Sequence, residues 1–245
     1  MLAKNENLGL FLQARMGSTR LPGKVLMEIG GKSVLALMVE RIRQTEYGDR
    51  LFVLTSDRAI DDVIAQYAAT VDLPCFRGNE KDVLDRFIRA ARHWGVEHIV
   101  RLTADSPFLS LRALTDTVEG YFRHRAPDYY FIEGYPVGIG SVEAMSRDAL
   151  SRARRETATD QEYFREHVMT YLTAHPEWFR VVIEPAPKRY QNQPWRLALD
   201  EKKDLQLMRL VFDKLGGNLD LDRIFELFRR EPKLAEINKK VVQKS

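Results

Sequence analysis

Cysteine is nearly missing from this chain of 245 residues. Cys75 stands alone, so no internal disulfide can form, nothing points to an oxidising compartment, and zinc held by several cysteines is excluded. Histidine is scarce too, with 5 residues and none at metal-ligand spacing. An excess of one charge is also lacking. The 38 basic and 35 acidic side chains leave a net +3, too mild for a nucleic-acid binder, whose affinity rests on a concentrated basic face. Long apolar runs are absent. Leu8 to Leu12 follows Lys4 and Glu6 and stops at Gln13, shorter than the centre of a signal peptide, and no later run approaches the roughly 20 residues that span a bilayer. The expectation is a soluble, cytoplasmic protein without membrane or nucleic-acid partners. Internal repeats and low-complexity tracts are lacking. With 44% hydrophobic against 30% charged residues, the chain does not have the composition of a disordered one.

What is present alternates. Leu8 to Leu12 reads as a buried strand, Ser33 to Gln44 as a helix capped by Ser33, and Leu51 to Thr55 as a strand. Ala59 to Ala69 is a helix and Leu73 to Phe76 a short strand. Asp82 to Trp94 is an amphipathic helix with Val83, Leu84, Phe87, Ile88 and Ala91 inward, followed by a strand at His98 to Leu102 and a helix at Leu111 to Phe122. Strands alternating with helices of this length predict a three-layer α/β/α sandwich with a mostly parallel sheet, whose ligands sit outside the carboxyl ends of the strands. From about Ala126 the texture changes. Pro127, Gly134, Pro136, Gly138 and Gly140 punctuate short β-like stretches, and Ala158 to Ala174 reads as one long helix. Residues 126–190 are expected as an inserted arm of a single domain spanning 1–245, and Tyr129, Tyr130, Phe131, Tyr135 and Trp178 give that arm the aromatic content of a homodimer interface. A strand at Trp195 to Leu199 and helices at Lys203 to Leu215 and Leu221 to Arg229 complete the pattern.

The first strand runs into Gln13-Ala14-Arg15-Met16-Gly17-Ser18-Thr19-Arg20-Leu21-Pro22-Gly23-Lys24. Glycines let backbone N–H groups approach phosphate oxygens, and Arg15, Arg20 and Lys24 supply the positive charge a polyphosphate needs. The loop is not a P-loop, since Gly17 and Gly23 are six apart and Val25 stands where Ser or Thr would bind magnesium. Nor is it a G-x-G-x-x-G turn. An ordinary solvated turn between strand and helix is the alternative.

That run resembles the N-terminal signature of the cytidylyltransferases that make CMP-activated sugar acids. The family includes acylneuraminate and 3-deoxy-manno-octulosonate cytidylyltransferases, and the similarity is strongest to the branch named for the spore coat polysaccharide biosynthesis protein SpsF. It continues in order through Arg77-Gly78, Asp82 to Arg86, Arg101 to Pro107, Arg165 to Val168 and Arg196 to Asp200. The resemblance implies a nucleotide-diphospho-sugar transferase-like fold and a transfer of CMP from CTP to an acidic sugar with release of pyrophosphate. It implies that Arg15 and Lys24 grip the triphosphate, with Gln13, Ala14, Gly17 and Ser18 at the nucleotide, and that Asp105 and Asp200 bind magnesium, Asp105 being catalytic with Arg15 and Lys24. It places Arg77 and Asp82 at the base, and Tyr135, Gly138, Glu143, Arg165 and His167 at the acceptor.

Plainer roles exist for each. Asp105 could cap the helix after Pro107 and Asp200 the one near Lys203. Arg77 and Asp82 could be a charged helix start, His167 a surface residue, and Tyr135, Gly138 and Glu143 a hairpin tip. The chain also departs from the family where Val137 follows Pro136, where Glu201-Lys202 replaces the usual Thr-Pro, and where Ala104 replaces a common Gly. These departures bear on the acceptor, and a phosphonate, a phosphorylated alcohol or a sugar phosphate is the alternative. A sugar-nucleotide-binding protein without catalysis is a further one. A glycosyltransferase would need an Asp-x-Asp motif, which Asp105-Ser106-Pro107 does not provide.

Overall fold

The computed structural model describes residues 7–157 and 161–242. In chain order they form β1 (Leu8–Gln13), a small hairpin of β2 (Glu28–Ile29) and β3 (Lys32–Ser33), α1 (Val34–Ile42), β4 (Leu51–Ser56), α2 (Asp62–Thr70), β5 (Cys75–Gly78), α3 (Val83–His93), β6 (His98–Thr103) and α4 (Leu111–Arg123). There follow β7 (Tyr129–Glu133), β8 (Val142–Ser146), α5 (Arg147–Glu156), α6 (Glu162–Glu166), α7 (Thr170–Ala174), β9 (Val181–Pro185), α8 (Lys202–Lys214) and α9 (Leu221–Arg230).

Seven strands make one sheet in the order β5-β4-β1-β6-β8-β7-β9. Only β8 runs against the others, being antiparallel to both β6 and β7. The period of two along β1 sorts the layers. Leu8, Leu10 and Leu12 pack with Met38 of α1, Ile64 of α2 and Leu114 of α4 on one face. Phe11 packs with Phe87 of α3, Leu150 of α5 and Leu172 of α7 on the other. A strand covered on both sides must be apolar throughout, which is why β1 is a continuous apolar run. A third cluster joins Leu207 and Met208 of α8 and Phe228 of α9 to Ile29 and Phe108.

Three expectations change. Residues 126–190 are woven into the sheet rather than set apart from it, for they supply β7, β8 and β9. The aromatic residues expected at an interface follow: Tyr129 and Tyr130 are buried in the core, Phe131 and Tyr135 are partly buried, and Trp178 alone among them is exposed. The helix expected over Ala158 to Ala174 starts outside the described residues and is broken in two at His167–Met169. Arg165 is drawn toward α3 by a 2.7 Å bond to Asp82, whereas Val168, Tyr171 and Leu172 turn into the core beside α5. Trp195 to Leu199 forms no strand and joins none among the described residues. Its hydrogen bonds go to loops, from Leu197 N to the Val137 carbonyl at 2.8 Å and from Leu199 N to the Asp105 carbonyl at 2.7 Å.

Among the described residues no helix is long and apolar enough to cross a membrane.

Candidate active site

From β1 the chain proceeds outward to β4 and β5, then returns to β6 on the other side of β1. This reversal leaves a crevice at the carboxyl ends of β1 and β6, the place where open α/β sheets bind ligands. A cleft of about 320 Å³ opens there. Of the expected residues, Gln13, Ala14, Arg15, Ser18, Lys24, Asp105, Asp200 and His167 line it. A larger groove of about 450 Å³, walled by Tyr190, Trp195, Phe225 and Phe228, holds none of them.

The loop after β1 is fixed from both sides. Ala14 N donates to the Leu54 carbonyl at 3.0 Å and Met16 N to the buried carboxylate of Asp61 at 2.7 Å, while Ser56 Oγ donates to the other Asp61 oxygen. Gly23 N closes back on the Met16 carbonyl at 3.0 Å, and Gly23 itself takes φ 69°, a conformation that glycine adopts without a Cβ penalty. The short 3-10 helix Lys24–Leu26 follows and points Lys24 into the cleft.

Lys24 is the hub of the site. Its Nζ lies 3.3 Å from Asp105 Oδ2, 3.3 Å from Asp200 Oδ1 and 2.6 Å from the Leu199 carbonyl. Arg20 reaches the same oxygen of Asp200 at 2.9 Å, and Arg196 bonds its other oxygen. Burial works against a charge on Asp105, but the Lys24 ammonium and the hydrogen bonds from Thr103 and Lys24 outweigh it and hold the carboxyl below its ordinary value. Neither aspartate caps a helix. Ser110 caps α4, donating no cap role to Asp105, and Glu201 with Asp204 forms the capping box of α8. Asp204 accepts from Asp200 N at 3.0 Å and is anchored by Asn238 at 2.8 Å, which sets where Asp200 stands.

Arg15 is 36% exposed and pairs with Glu166 of α6 at 3.2 Å across the cleft mouth. Such an exposed pair is weak and yields readily to a polyanion.

The remaining expected residues lie outside the cleft lining. Gly17 faces Glu80, whose Oε1 would stand 3.2 Å from an added Cβ. Arg77 donates to the Ser56 and Arg58 carbonyls and pairs with Asp62 at 2.7 Å. Asp82 caps α3 and holds Arg165, so these two expected residues engage each other. Tyr135 stacks on Tyr190, and Gly138 lies so close to Leu197 that an added Cβ would stand 2.1 Å from its carbonyl oxygen. Glu143 is buried behind the cleft floor, where it bonds Arg101 and accepts from Tyr129 Oη at 3.0 Å.

Arg101 is the residue that sequence reasoning missed. It lines the cleft with Thr103, Thr19, Arg20 and Glu166. The signal was available, since Arg101, Thr103 and Asp105 alternate along β6 and its end and so can serve one side of the sheet.

The layered sheet and the cleft at its reversal define an open α/β fold with a ligand site at its switch point. The comparisons with known proteins narrow this. The model of the cytidylyltransferase family matches residues 10–238, and the chain belongs to that family, whose members are CTP-dependent nucleotidyltransferases. The chain is 34% identical over 230 residues to the spore coat polysaccharide biosynthesis protein SpsF of Bacillus subtilis, covering 91% of this chain and 95% of that one. It is 24% identical over 239 residues to the 3-deoxy-manno-octulosonate cytidylyltransferase of Solibacter usitatus, covering 89% and 93%. Among solved structures, a cytidylyltransferase from Leptospira borgpetersenii superposes with a TM-score of 0.86 at 24% identity over 98% of this chain and 99% of that one. A CMP:2-keto-3-deoxy-manno-octonic acid synthetase complexed with CTP superposes with a TM-score of 0.64 at 16% identity over 85% and 99%, which bears on the fold.

Proposed function

We propose that this protein transfers CMP from CTP to an acidic sugar of the 2-keto sugar acid type and releases pyrophosphate, in the synthesis of a surface polysaccharide or glycan. The observation that carries the reading is the convergence of Asp105, Asp200 and Lys24 at the carboxyl end of β6, beside a loop that offers Arg15 and Arg20. The acceptor class follows the name of the 3-deoxy-manno-octulosonate cytidylyltransferase, and the polysaccharide setting follows that of SpsF.

The residues fit a magnesium ion. Asp105 and Asp200 each place an oxygen 3.3 Å from one Nζ, so the two carboxylates converge, and Asp105 is held in its charged form. Magnesium would need only these one or two carboxylates, with water and phosphate oxygens for the rest. Magnesium held there supplies neutralisation of phosphate charge. In the transfer an acceptor hydroxyl oxygen bonds to the α-phosphorus as its proton passes to solvent, the bond from the α-phosphorus to the oxygen bridging to the β-phosphate breaks, and Arg15 and Lys24 take up the charge growing on the leaving pyrophosphate. Gln13, Ala14 and Ser18 border the nucleotide. His167 and Arg101, the latter oriented by Glu143, stand ready for the acceptor's acid group. A homodimer belongs to this reading, with the exposed Tyr163 and Trp178 as contact residues. A monomeric mass by light scattering at micromolar concentration removes that part.

Pyrophosphate release from CTP, assayed across sugar acids, sugar phosphates, phosphonates and phosphorylated alcohols, tests the whole. Turnover with a sugar acid is expected. Turnover confined to a phosphorylated acceptor overturns the acceptor class, and a melting temperature raised equally by CTP, ATP and GTP overturns the fit to cytosine.

A further inference from the structure

We propose that Lys24 guards the metal site in the nucleotide-free protein, standing between Asp105 and Asp200 and excluding a divalent cation until a triphosphate draws the lysine away. The inference rests on the reading that these aspartates bind magnesium, and it adds an order of entry in which the metal arrives with CTP.

All three donors of the ammonium are accounted for by the two carboxylates and the Leu199 carbonyl. A cation held by both aspartates would use the oxygens that Nζ now occupies, so the two positive charges compete for one place. Displacing Lys24 without an anion to receive it would strand a charge that is only 12% exposed, which is costly. A triphosphate entering the cleft changes this, because its oxygens can accept the ammonium while the metal takes the carboxylates. The four-carbon stem lets Lys24 make that move by side-chain rotation.

The two aspartates depend on the lysine unequally. Asp200 is also held by Arg20 at 2.9 Å and by Arg196. Among the described residues Asp105 has no ion pair other than Lys24, and its remaining partners are the Thr103 and Ser106 hydroxyls at 2.8 and 3.3 Å. Removing the ammonium therefore releases Asp105 as an anionic ligand while Asp200 stays partly neutralised.

The test is a titration of Mn2+ alone, followed by electron paramagnetic resonance of the free ion, on wild type, Lys24→Met and Lys24→Gln, with melting curves on the same samples. Both variants are expected to bind one Mn2+ at least tenfold more tightly than wild type, and two different replacements keep the test alive if one misfolds. Equal affinity in wild type and the folded variants overturns the guarding role. Adding Asp105→Asn to Lys24→Met should abolish the gain, and a gain that survives it overturns the proposal by placing the ion elsewhere. The underlying metal assignment is checked separately by Mn2+ binding to wild type in the presence of CTP, which Asp105→Asn should remove.

Discussion

The two ends of β6 treat charge in opposite ways. At the amino end His98 lies against the rings of Tyr121 and Phe122, at 5.6 and 5.1 Å, with its Nδ1 3.1 Å from the Tyr121 hydroxyl. Burial pushes its imidazole below the ordinary value, and only the neighbouring Glu97 pulls the other way. At the carboxyl end burial also opposes the charge on Asp105, yet the cation and hydroxyl beside it prevail. Burial does not decide the charge state by itself; the partners delivered by adjoining segments do. At one end those segments are the aromatic turns of α4, and at the other a loop from β1 rich in arginine and lysine.

The largest test of this contrast is Asp105→Asn or Asp200→Asn. Each should lower turnover by at least about 10³-fold, because an amide keeps the shape but loses the anionic ligand. Asp105→Asn should melt close to wild type, whereas Asp200→Asn, which strips the carboxylate shared by Lys24, Arg20 and Arg196, should still fold but melt lower. The double variant should lose little more than either single one, as groups acting as a unit are non-additive. Wild-type pyrophosphate release in both would mean that the carboxyl end of β6 is structural like the amino end. Arg15→Ala comes next, with a loss of roughly 10²-fold in turnover expected and stability almost unchanged, for its exposed pair with Glu166 contributes little. A normal rate in Arg15→Ala would make that loop ordinary surface.

Most of this architecture was legible because the central strands are buried on both faces and so carry continuous apolar runs, as β1 and β4 do. The same rule misled at Trp195 to Leu199, where the apolar side chains serve the cluster under α8 and α9 rather than a sheet. The break at His167 was illegible for another reason: it depends on Arg165 meeting Asp82, a contact between segments far apart in the chain. In the site, the resemblance to the cytidylyltransferases singled out Lys24, Asp105 and Asp200, and the local pattern agreed with it, since the two aspartates end strand-like runs and Lys24 follows a glycine turn. Arg101 was legible from its alternation with Thr103 and Asp105 but was passed over, while the place of Glu143 needed the antiparallel register that sets it opposite Arg101 on β8 and β6, which no local pattern discloses.

That pair occupies the middle of the strand and should behave between its ends. Glu143→Ala removes the carboxylate that Arg101 and Tyr129 share, leaving a guanidinium without its ion-pair partner. The expected cost is about 2 kcal/mol, at the low side for a buried pair because Arg101 keeps access to the cleft. Denaturant unfolding measures it, and the Michaelis constant for the acceptor should rise along with the loss. An unchanged Michaelis constant in a destabilised protein would assign the pair to folding alone.

The smallest effect belongs to His98, and its sign follows from linkage. The folded chain holds the imidazole below its ordinary value, so between that lowered value and about 6.5 the unfolded chain binds more protons. Stability therefore rises with pH through this window. The contribution is intact above about pH 6.5 and is lost as pH falls toward the folded value. In His98→Gln no proton can be taken up at this position in either state, and the fall in stability between pH 7.5 and 5 should be shallower than in wild type. Urea unfolding at the two pH values makes the comparison, with turnover at pH 7.5 as a control that should not change, since His98 sits at the end of β6 away from the cleft. If wild type and variant lose equal stability on acidification, the amino end of β6 does not hold its histidine neutral, and the contrast between the two ends rests on Asp105 alone.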